Sequence, residues 1–384
     1  MDFALTPDQE RIQLAARSFA EKSLRPGYQD RDRSSEIPRY LAEEMGALGL
    51  IAPGLPEELG GLGLDALTMG LLVEEVSRGD FNMAYLQILG ALNGQILARH
   101  ARPDVAAEFV PKICRGETLI ALALTEPGTG SDAAHLALKA RREGNDYVLN
   151  GEKTSISLAH QADLAVTFAR TGSEGEGAHG ITAFLVPLDI PGVHRTRFED
   201  VGSNIVGRGS LFFEDARIPD VFRLGEEGRG FTQVMQGFDF SRALIGLQCV
   251  GPTAVSLEET WSYVTGRKAF GSPVVKFEGV SFPLAEGETL LEAMRLLCYK
   301  TLWLKDRDEP HTAEAAMCKW WAPKTAFDII HNCILLHGHG GYGKETPFQQ
   351  RLRDVMGLQI GDGTEQIMKL IIARERVGRV AVPY

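Results

Sequence analysis

The sequence predicts an α+β protein of three successive regions, and two observations carry that prediction. Helical periodicity fills the first 118 residues or so, yields near Thr118 to short apolar runs of strand length, and returns from about Gly230 as far as Arg376. Helices, then strands, then helices is a segregated order, whereas a parallel doubly wound sheet would alternate them. The expected regions are therefore 1–118, helical; 119–229, β; and 230–384, helical.

Each element has a local reason. Thr6-Pro7-Asp8-Gln9 starts a helix: Thr6 can cap, Pro7 suits the first helical position, and Gln9 completes a capping box. That helix should run to about Lys22 and stop before Pro26. Residues 38–48 repeat the pattern, with Leu41, Met45 and Leu48 on one stripe and Gly49 just past the end. Glu58-Leu59-Gly60-Gly61-Leu62-Gly63 is a turn, with a binding role for its glycines left open. Helices are expected over 66–78, 82–100 and 105–114. Residues 119–124 form a continuous apolar run that leads into Thr125-Glu126-Pro127-Gly128-Thr129-Gly130-Ser131-Asp132. Tyr147-Val148-Leu149, the pair Asn150-Gly151, and 152–157 give a hairpin signal. Residues 164–168, 181–186 and 210–213 are further short strands, punctuated by Pro187, Pro191 and Pro219. The closing helices are interrupted at Gly271-Ser272-Pro273 and by the glycines of 338–343.

Composition excludes whole classes of function. The net charge of -11 argues against an electrostatic footprint for nucleic acid. No run approaches the roughly 20 apolar residues that span a bilayer, so no membrane role is expected. The opening Met1-Asp2-Phe3-Ala4-Leu5-Thr6 lacks the basic and apolar regions of a secretory signal. The five cysteines, Cys114, Cys249, Cys298, Cys318 and Cys333, are scattered and odd in number. Reduced thiols in a cytoplasmic protein are the expectation, with no metal site. His337 and His339 lack further ligands at useful spacing. Gly338-His339-Gly340-Gly341-Tyr342-Gly343 fits GxGxxG, but a helix precedes it and none opens after it, so the dinucleotide fingerprint fails.

Near the C-terminus a single carboxylate stands between glycines in Ile360-Gly361-Asp362-Gly363-Thr364-Glu365-Gln366-Ile367, ahead of a helix over 366–376. Glycines let backbone approach a ligand closely, and a helix start offers free amide hydrogens. Asp362 is then either a general base or a plain helix cap. The 125–132 motif, Arg267-Lys268-Ala269-Phe270-Gly271, and Gly361-Asp362-Gly363-Thr364 with Ile371-Ile372-Ala373-Arg374-Glu375 occur in this order. Together they resemble the acyl-CoA dehydrogenase family of flavoproteins, over essentially the whole chain.

The resemblance implies that family's fold, with an N-terminal helical domain, a middle β-domain and a C-terminal four-helix bundle. It implies FAD as cofactor, an acyl-CoA substrate, electron-transferring flavoprotein as acceptor, and a homo-oligomer, commonly a tetramer. Leu122, Leu124, Thr125, Gly130 and Ser131 match the segment lining the flavin, and Ser131 also matches a CoA contact. Ile156 and Ser157 match the strand beside the flavin, and Gly338, Thr364 and Gln366 match further cofactor contacts. Arg267 and Phe270 match residues that reach the FAD of a neighbouring subunit. Phe238, Asp239, Arg242, Gly361, Gly363 and Arg374 fall on substrate-binding positions, and Asp362 on the catalytic base. In the family the base takes the Cα proton while flavin N5 takes the Cβ hydride.

Departures from the family pattern are concentrated near the base. Asp362 stands where the family usually has Glu and has about 1.5 Å less reach. Gly361 replaces an aromatic residue, and Ser155 replaces a flavin-shielding Trp. Leu335 and Glu278 replace flavin-contacting glutamines, and Ser241 leaves Asp362 without a rival base beside Arg242. A bulky, alicyclic acyl group of the cyclohexanecarboxyl-CoA type is the expected substrate, with a short or branched chain as the alternative. Nitroalkane oxidation, enoyl-CoA reduction and a non-catalytic flavin-binding scaffold are the other readings; Asp239 and Arg242 favour a CoA ligand over a nitroalkane.

Overall fold

A computed structural model describes residues 4–382. Thr6 caps α1 (Pro7–Phe19): its hydroxyl accepts from the Gln9 N–H at 3.2 Å, and Gln9 Oε1 accepts from the Thr6 N–H at 3.0 Å. The chain continues through a wider turn and a tighter one around Pro26, which lacks an N–H to donate, into α2 (Tyr28–Arg31). Then come α3 (Arg39–Ala47), α4 (Ala66–Gly79), α5 (Ala84–His100) and α6 (Pro103–Cys114). Asp65 caps α4 by accepting from the Thr68 N–H at 2.7 Å. α5 is buried on nearly every side, with Leu86, Ile88, Leu92, Ile96 and Leu97 in the core, because it packs against α6, the sheet and the long helix that follows.

The middle region is one sheet made of β1 (Ile120–Ala123), β2 (Lys139–Glu143), β3 (Asp146–Ile156), β4 (Leu164–Arg170), β5 (Ile181–Pro187), β6 (Val193–Arg195), β7 (Gly209–Pro219) and β8 (Arg223–Leu224). The order is β6-β7-β3-β2-β4-β5-β8, and β1 pairs parallel to β4. β1 lies along residues 164–167 of β4, while β2 meets β4 only at Lys139 opposite Arg170. Both strands therefore share one side of β4, and residues 124–138 form an insert between them.

The expected hairpin at Asn150-Gly151 is not a turn. β3 runs straight through it, and the hairpin closes earlier, at Gly144-Asn145 between β2 and β3. Gly151, at φ 138°, instead makes a bulge against β7. Asn150 is occupied across the strands: its amide donates to Asp215 Oδ1 and its carbonyl accepts from the Asp215 N–H, each at 3.0 Å.

The last region holds α7 (Gly230–Gly266), a small hairpin of β9 (Lys268–Ala269) and β10 (Ser272–Pro273), α8 (Glu278–Asp306), α9 (Thr312–His337), α10 (His339–Tyr342), α11 (Phe348–Gly357) and α12 (Glu365–Val377). α7 and α9 pack along each other, with α8, α11 and α12 against α9. One buried carboxylate ties all three regions together. Asp354 of α11 accepts from Tyr28 Oη at 2.7 Å, Asn82 Nδ2 at 3.1 Å and the Ser203 N–H at 2.7 Å. The five cysteines are buried and unpaired, and among the described residues no helix is long and apolar enough to cross a membrane.

Candidate active site

The segment between α11 and α12 carries the carboxylate. After α11, the N–H groups of Ile360 and Gly361 both donate to Gly357 O, at 3.2 and 3.1 Å, and the turn delivers Asp362 with φ at 55°. Asp is one of the few residue types with a side chain that enters this left-handed region readily. Gly363 follows at φ 104°, and a Cβ there would stand 2.4 Å from Met368 Cε. Thr364, not Asp362, caps α12, its hydroxyl accepting from the Ile367 N–H at 3.4 Å. The plain-cap alternative for Asp362 is thereby removed.

Among the described residues neither the Asp362 carboxylate nor its own N–H has a hydrogen-bond partner. One side of the residue is open to solvent, while protein atoms crowd the others. That crowding raises the carboxyl above the usual Asp range, and the charges of Lys319 and Arg242 pull it partly back. Tyr85 of α5 is also close; burial and then the negative Asp362 hold its phenol protonated far above neutral pH.

Arg242, two turns into the buried stretch of α7, is 7% exposed. Its Nη1 donates to Asp239 Oδ1 at 3.0 Å, and Asp239 Oδ2 accepts from Thr312 Oγ1 at 2.6 Å. The guanidinium lies 5.5 Å from the centre of the Phe238 ring. Its Nε is buried without a partner, an unspent donor on the charged side chain that faces Asp362. Arg374 of α12 is exposed and adds a second positive charge near Arg242; its guanidinium donates to Glu375 at 3.2 Å.

A second constellation surrounds the insert after β1. Lys153 of β3 is wholly buried and donates to Glu126 Oε1 at 2.7 Å and to Leu124 O at 2.9 Å. Glu126 also accepts from the N–H groups of Ala137 and Leu138, at 2.5 and 2.8 Å, so one ion pair clamps both ends of the insert. Thr125 O accepts from the Thr154 N–H at 2.9 Å, which sets Thr125 beside the end of β3. Ile156 is buried and Ser157 half-buried there, while Ser155, at φ 58°, is exposed. Leu122 is half-buried and Leu124 buried, and Gly130 and Ser131 are exposed on the insert. The Thr129 hydroxyl is buried without a partner, and Cβ atoms added at Gly128 or Gly130 would meet nothing within 4 Å. An open, hydroxyl-lined cradle with a spare donor fits the polar edge of a flavin.

The two constellations are linked. The Leu158 N–H donates to Val206 O at 3.1 Å, and Ser203 in the same loop donates to Asp354 of α11. The other predicted residues are elsewhere. Arg267 is 25 residues beyond Arg242, about 37 Å along the helix at 1.5 Å per residue. It sits at the end of α7 with Phe270, which is 96% exposed, while Gly338 ends α9 nearby, where Tyr263 stacks on His337 at 4.2 Å. Gln366 is exposed on the first turn of α12.

Sequence reasoning missed three groups. Lys319, a single charge inside the apolar run Ala315-Ala316-Met317-Cys318-Lys319-Trp320-Trp321-Ala322, donates to Leu358 O at 2.7 Å and Gly363 O at 2.9 Å. That isolated lysine was a readable signal. Lys153 and Tyr85 carried no such mark.

Comparison with known proteins decides the family. Models of the acyl-CoA dehydrogenase N-terminal, middle and C-terminal domains match residues 6–117, 121–216 and 228–376. The chain belongs to the acyl-CoA dehydrogenase family. The human mitochondrial short-chain specific acyl-CoA dehydrogenase is 38% identical over 362 residues, covering 93% of this chain and 87% of that protein. Acryloyl-CoA reductase (NADH) of Anaerotignum propionicum is 33% identical over 382 residues, covering 99% and 97%. The solved structure of PigA with FAD and proline superposes with a TM-score of 0.95 at 26% identity, covering 99% of this chain and 100% of that one. As an acyl-CoA dehydrogenase family member, this chain is an oxidoreductase with FAD as its cofactor, and it has the family's three-part fold.

Proposed function

We propose that this enzyme removes the Cα and Cβ hydrogens of an acyl-CoA thioester, with Asp362 as the base. The observation that carries this reading is the unpartnered, proton-retentive carboxylate of Asp362 beside the spare donor of Arg242. Asp362, ionised, accepts the Cα proton. Its own free N–H offers the thioester oxygen a hydrogen bond, which lowers the cost of the developing enolate. Arg242, oriented by Asp239, and Arg374 hold the CoA side, with Phe238, Gly361, Gly363 and Ser131 completing the substrate positions. Thr125, Ser157, Thr364 and the 122–131 segment hold the flavin. FAD, when bound, supplies the acceptor for the Cβ hydride. Anaerobic bleaching of the flavin by an acyl-CoA tests the reading; a flavin left oxidised by every thioester would overturn it.

The acyl group we propose is wide at Cα and Cβ, most simply an alicyclic ring. Asp362 retracts the base, Gly361 has only Gly357 O, at 3.8 Å, near where a side chain would begin, and Ser155 leaves the edge of β3 open. A straight chain would underfill this space and sit too far from the base, and misplacement of about 1 Å can cost on the order of 10²-fold. Flavin reduction by cyclohexanecarboxyl-CoA should therefore outpace that by butyryl-, octanoyl- or isobutyryl-CoA.

The working form we propose is a cytoplasmic homotetramer that passes electrons to electron-transferring flavoprotein, with domains at 1–118, 119–229 and 230–384. Phe270, Phe282, Trp303 and Leu335 leave large apolar surface exposed on the last region, and Arg267 and Phe270 stand too far from Arg242 to serve the same copy's substrate site. A monomer that retains stoichiometric FAD in light scattering would refute the shared site.

A further inference from the structure

Among the described residues two lysines are wholly buried, and their charges are treated differently. Lys153 meets the Glu126 carboxylate directly at 2.7 Å. Lys319 meets only carbonyls, Leu358 O at 2.7 Å and Gly363 O at 2.9 Å, and among the described residues no carboxylate pairs with it. Burying an ammonium is costly unless a negative partner compensates it. The negative group whose field reaches Lys319 most strongly is Asp362, and the two carbonyls it grips lie on either side of that residue.

We propose that Lys319 is the positioning residue of the base: its ammonium staples the two ends of the 358–363 turn to α9 and places a fixed positive charge behind the Asp362 carboxylate. The staple explains how a short turn keeps a left-handed aspartate without any bond to its side chain. The charge explains how a crowded carboxyl is ionised often enough to accept a proton. Burial lowers the Lys319 ammonium to about 8, so it is charged at neutral pH. The other titratable and charged groups facing the pair are Arg242 and Cys249 from α7 and Tyr85 from α5, with Arg374 of α12 beyond Arg242. Of these, only Lys319 grips the turn itself.

The inference rests on Asp362 acting as the base, so its test needs one readout that does not use turnover. The FAD-loaded enzyme and its Lys319→Met and Lys319→Arg variants are compared by amide hydrogen exchange over 355–366 and by anaerobic flavin reduction against pH. Lys319→Met should exchange faster over that turn, reduce its flavin about 10²-fold more slowly, and move the acid limb of the rate upward by about one pH unit. Lys319→Arg, still charged, should keep the acid limb where the parent has it even if its rate falls. Parent-like exchange and parent-like pH dependence in Lys319→Met would overturn the proposal. If Lys319→Met does not fold, an acid limb displaced in Lys319→Arg overturns it instead. A parent flavin that no thioester bleaches removes the dehydrogenase reading, and the exchange comparison still decides whether Lys319 holds the turn.

Discussion

Two aspartates eight residues apart, Asp354 and Asp362, are pushed in the same direction by the same cause. Burial raises the Asp354 carboxyl to about 7, ahead of the Tyr28 and Ser203 donors that lower it. Crowding raises Asp362 likewise, against Lys319 and Arg242. Yet Asp354 is enclosed and accepts hydrogen bonds from three parts of the chain, whereas Asp362 accepts none among the described residues and opens to solvent on one side. A perturbed carboxyl therefore does not by itself mark a catalytic group. Unused hydrogen-bonding capacity at an accessible position is what sets Asp362 apart.

The comparison breaks most visibly at Asp362. Asp362→Asn keeps the shape of the turn and removes the proposed base, so flavin reduction should fall by about 10²–10⁴-fold while FAD content stays near that of the parent. Reduction within a few-fold of the parent would end the assignment. Because the parent carboxyl is raised, its rate should climb with pH through a limb above the ordinary Asp range as Asp362 loses its proton.

At Asp354 the expected losses are in stability. Asp354→Ala strands three donors in the interior, each costing on the order of 1–3 kcal/mol, and differential scanning calorimetry should show a markedly lower melting temperature or no folded protein. Asp354→Asn sharpens the point through pH. The folded carboxyl sits near 7 and the unfolded one near 3.8, so between those values the folded state binds the extra proton. This group's contribution is complete below the unfolded value and is lost as pH rises through about 7. The Asn variant lacks that loss, so its stability relative to the parent should grow from pH 4 to pH 7 and level off above. A difference that stays flat across the window would place the Asp354 proton elsewhere.

What the sequence made legible follows the range of each interaction. The Thr6 capping box and the order of helices and strands are local and could be read directly. So could the glycines around Asp362, although only the structure shows that Thr364 takes the cap. Asn150-Gly151 misled because its partner, Asp215, is 65 residues away and turns the pair into a bulge. β2 was missed because Lys139-Ala140-Arg141-Arg142-Glu143 carries no apolar alternation; pairing with β3 makes it a strand. The grips of Lys153 on Glu126 and Lys319 on Gly363 span 27 and 44 residues, and nothing near either lysine names its partner.

The smallest expected effect separates cap from base within a single turn. Thr364 spends its hydroxyl on the Ile367 N–H, so Thr364→Ala should cost about 1 kcal/mol of stability, as a lost N-cap does. Asp362→Asn removes no bond, so beyond the compensation its charge gives Lys319 it should cost close to none. Activity should show the reverse ranking: Thr364→Ala, although it also removes one proposed flavin contact, should lose far less flavin reduction than Asp362→Asn and keep the acid limb unchanged, because the charges around Asp362 are untouched. Chemical denaturation of the two variants beside the parent measures the first ranking, and flavin reduction the second. If Asp362→Asn lost as much stability as Thr364→Ala even in a Lys319→Met background, where no buried ammonium is left uncompensated, the carboxylate would be holding the helix start after all, and its freedom for proton transfer would have to be given up.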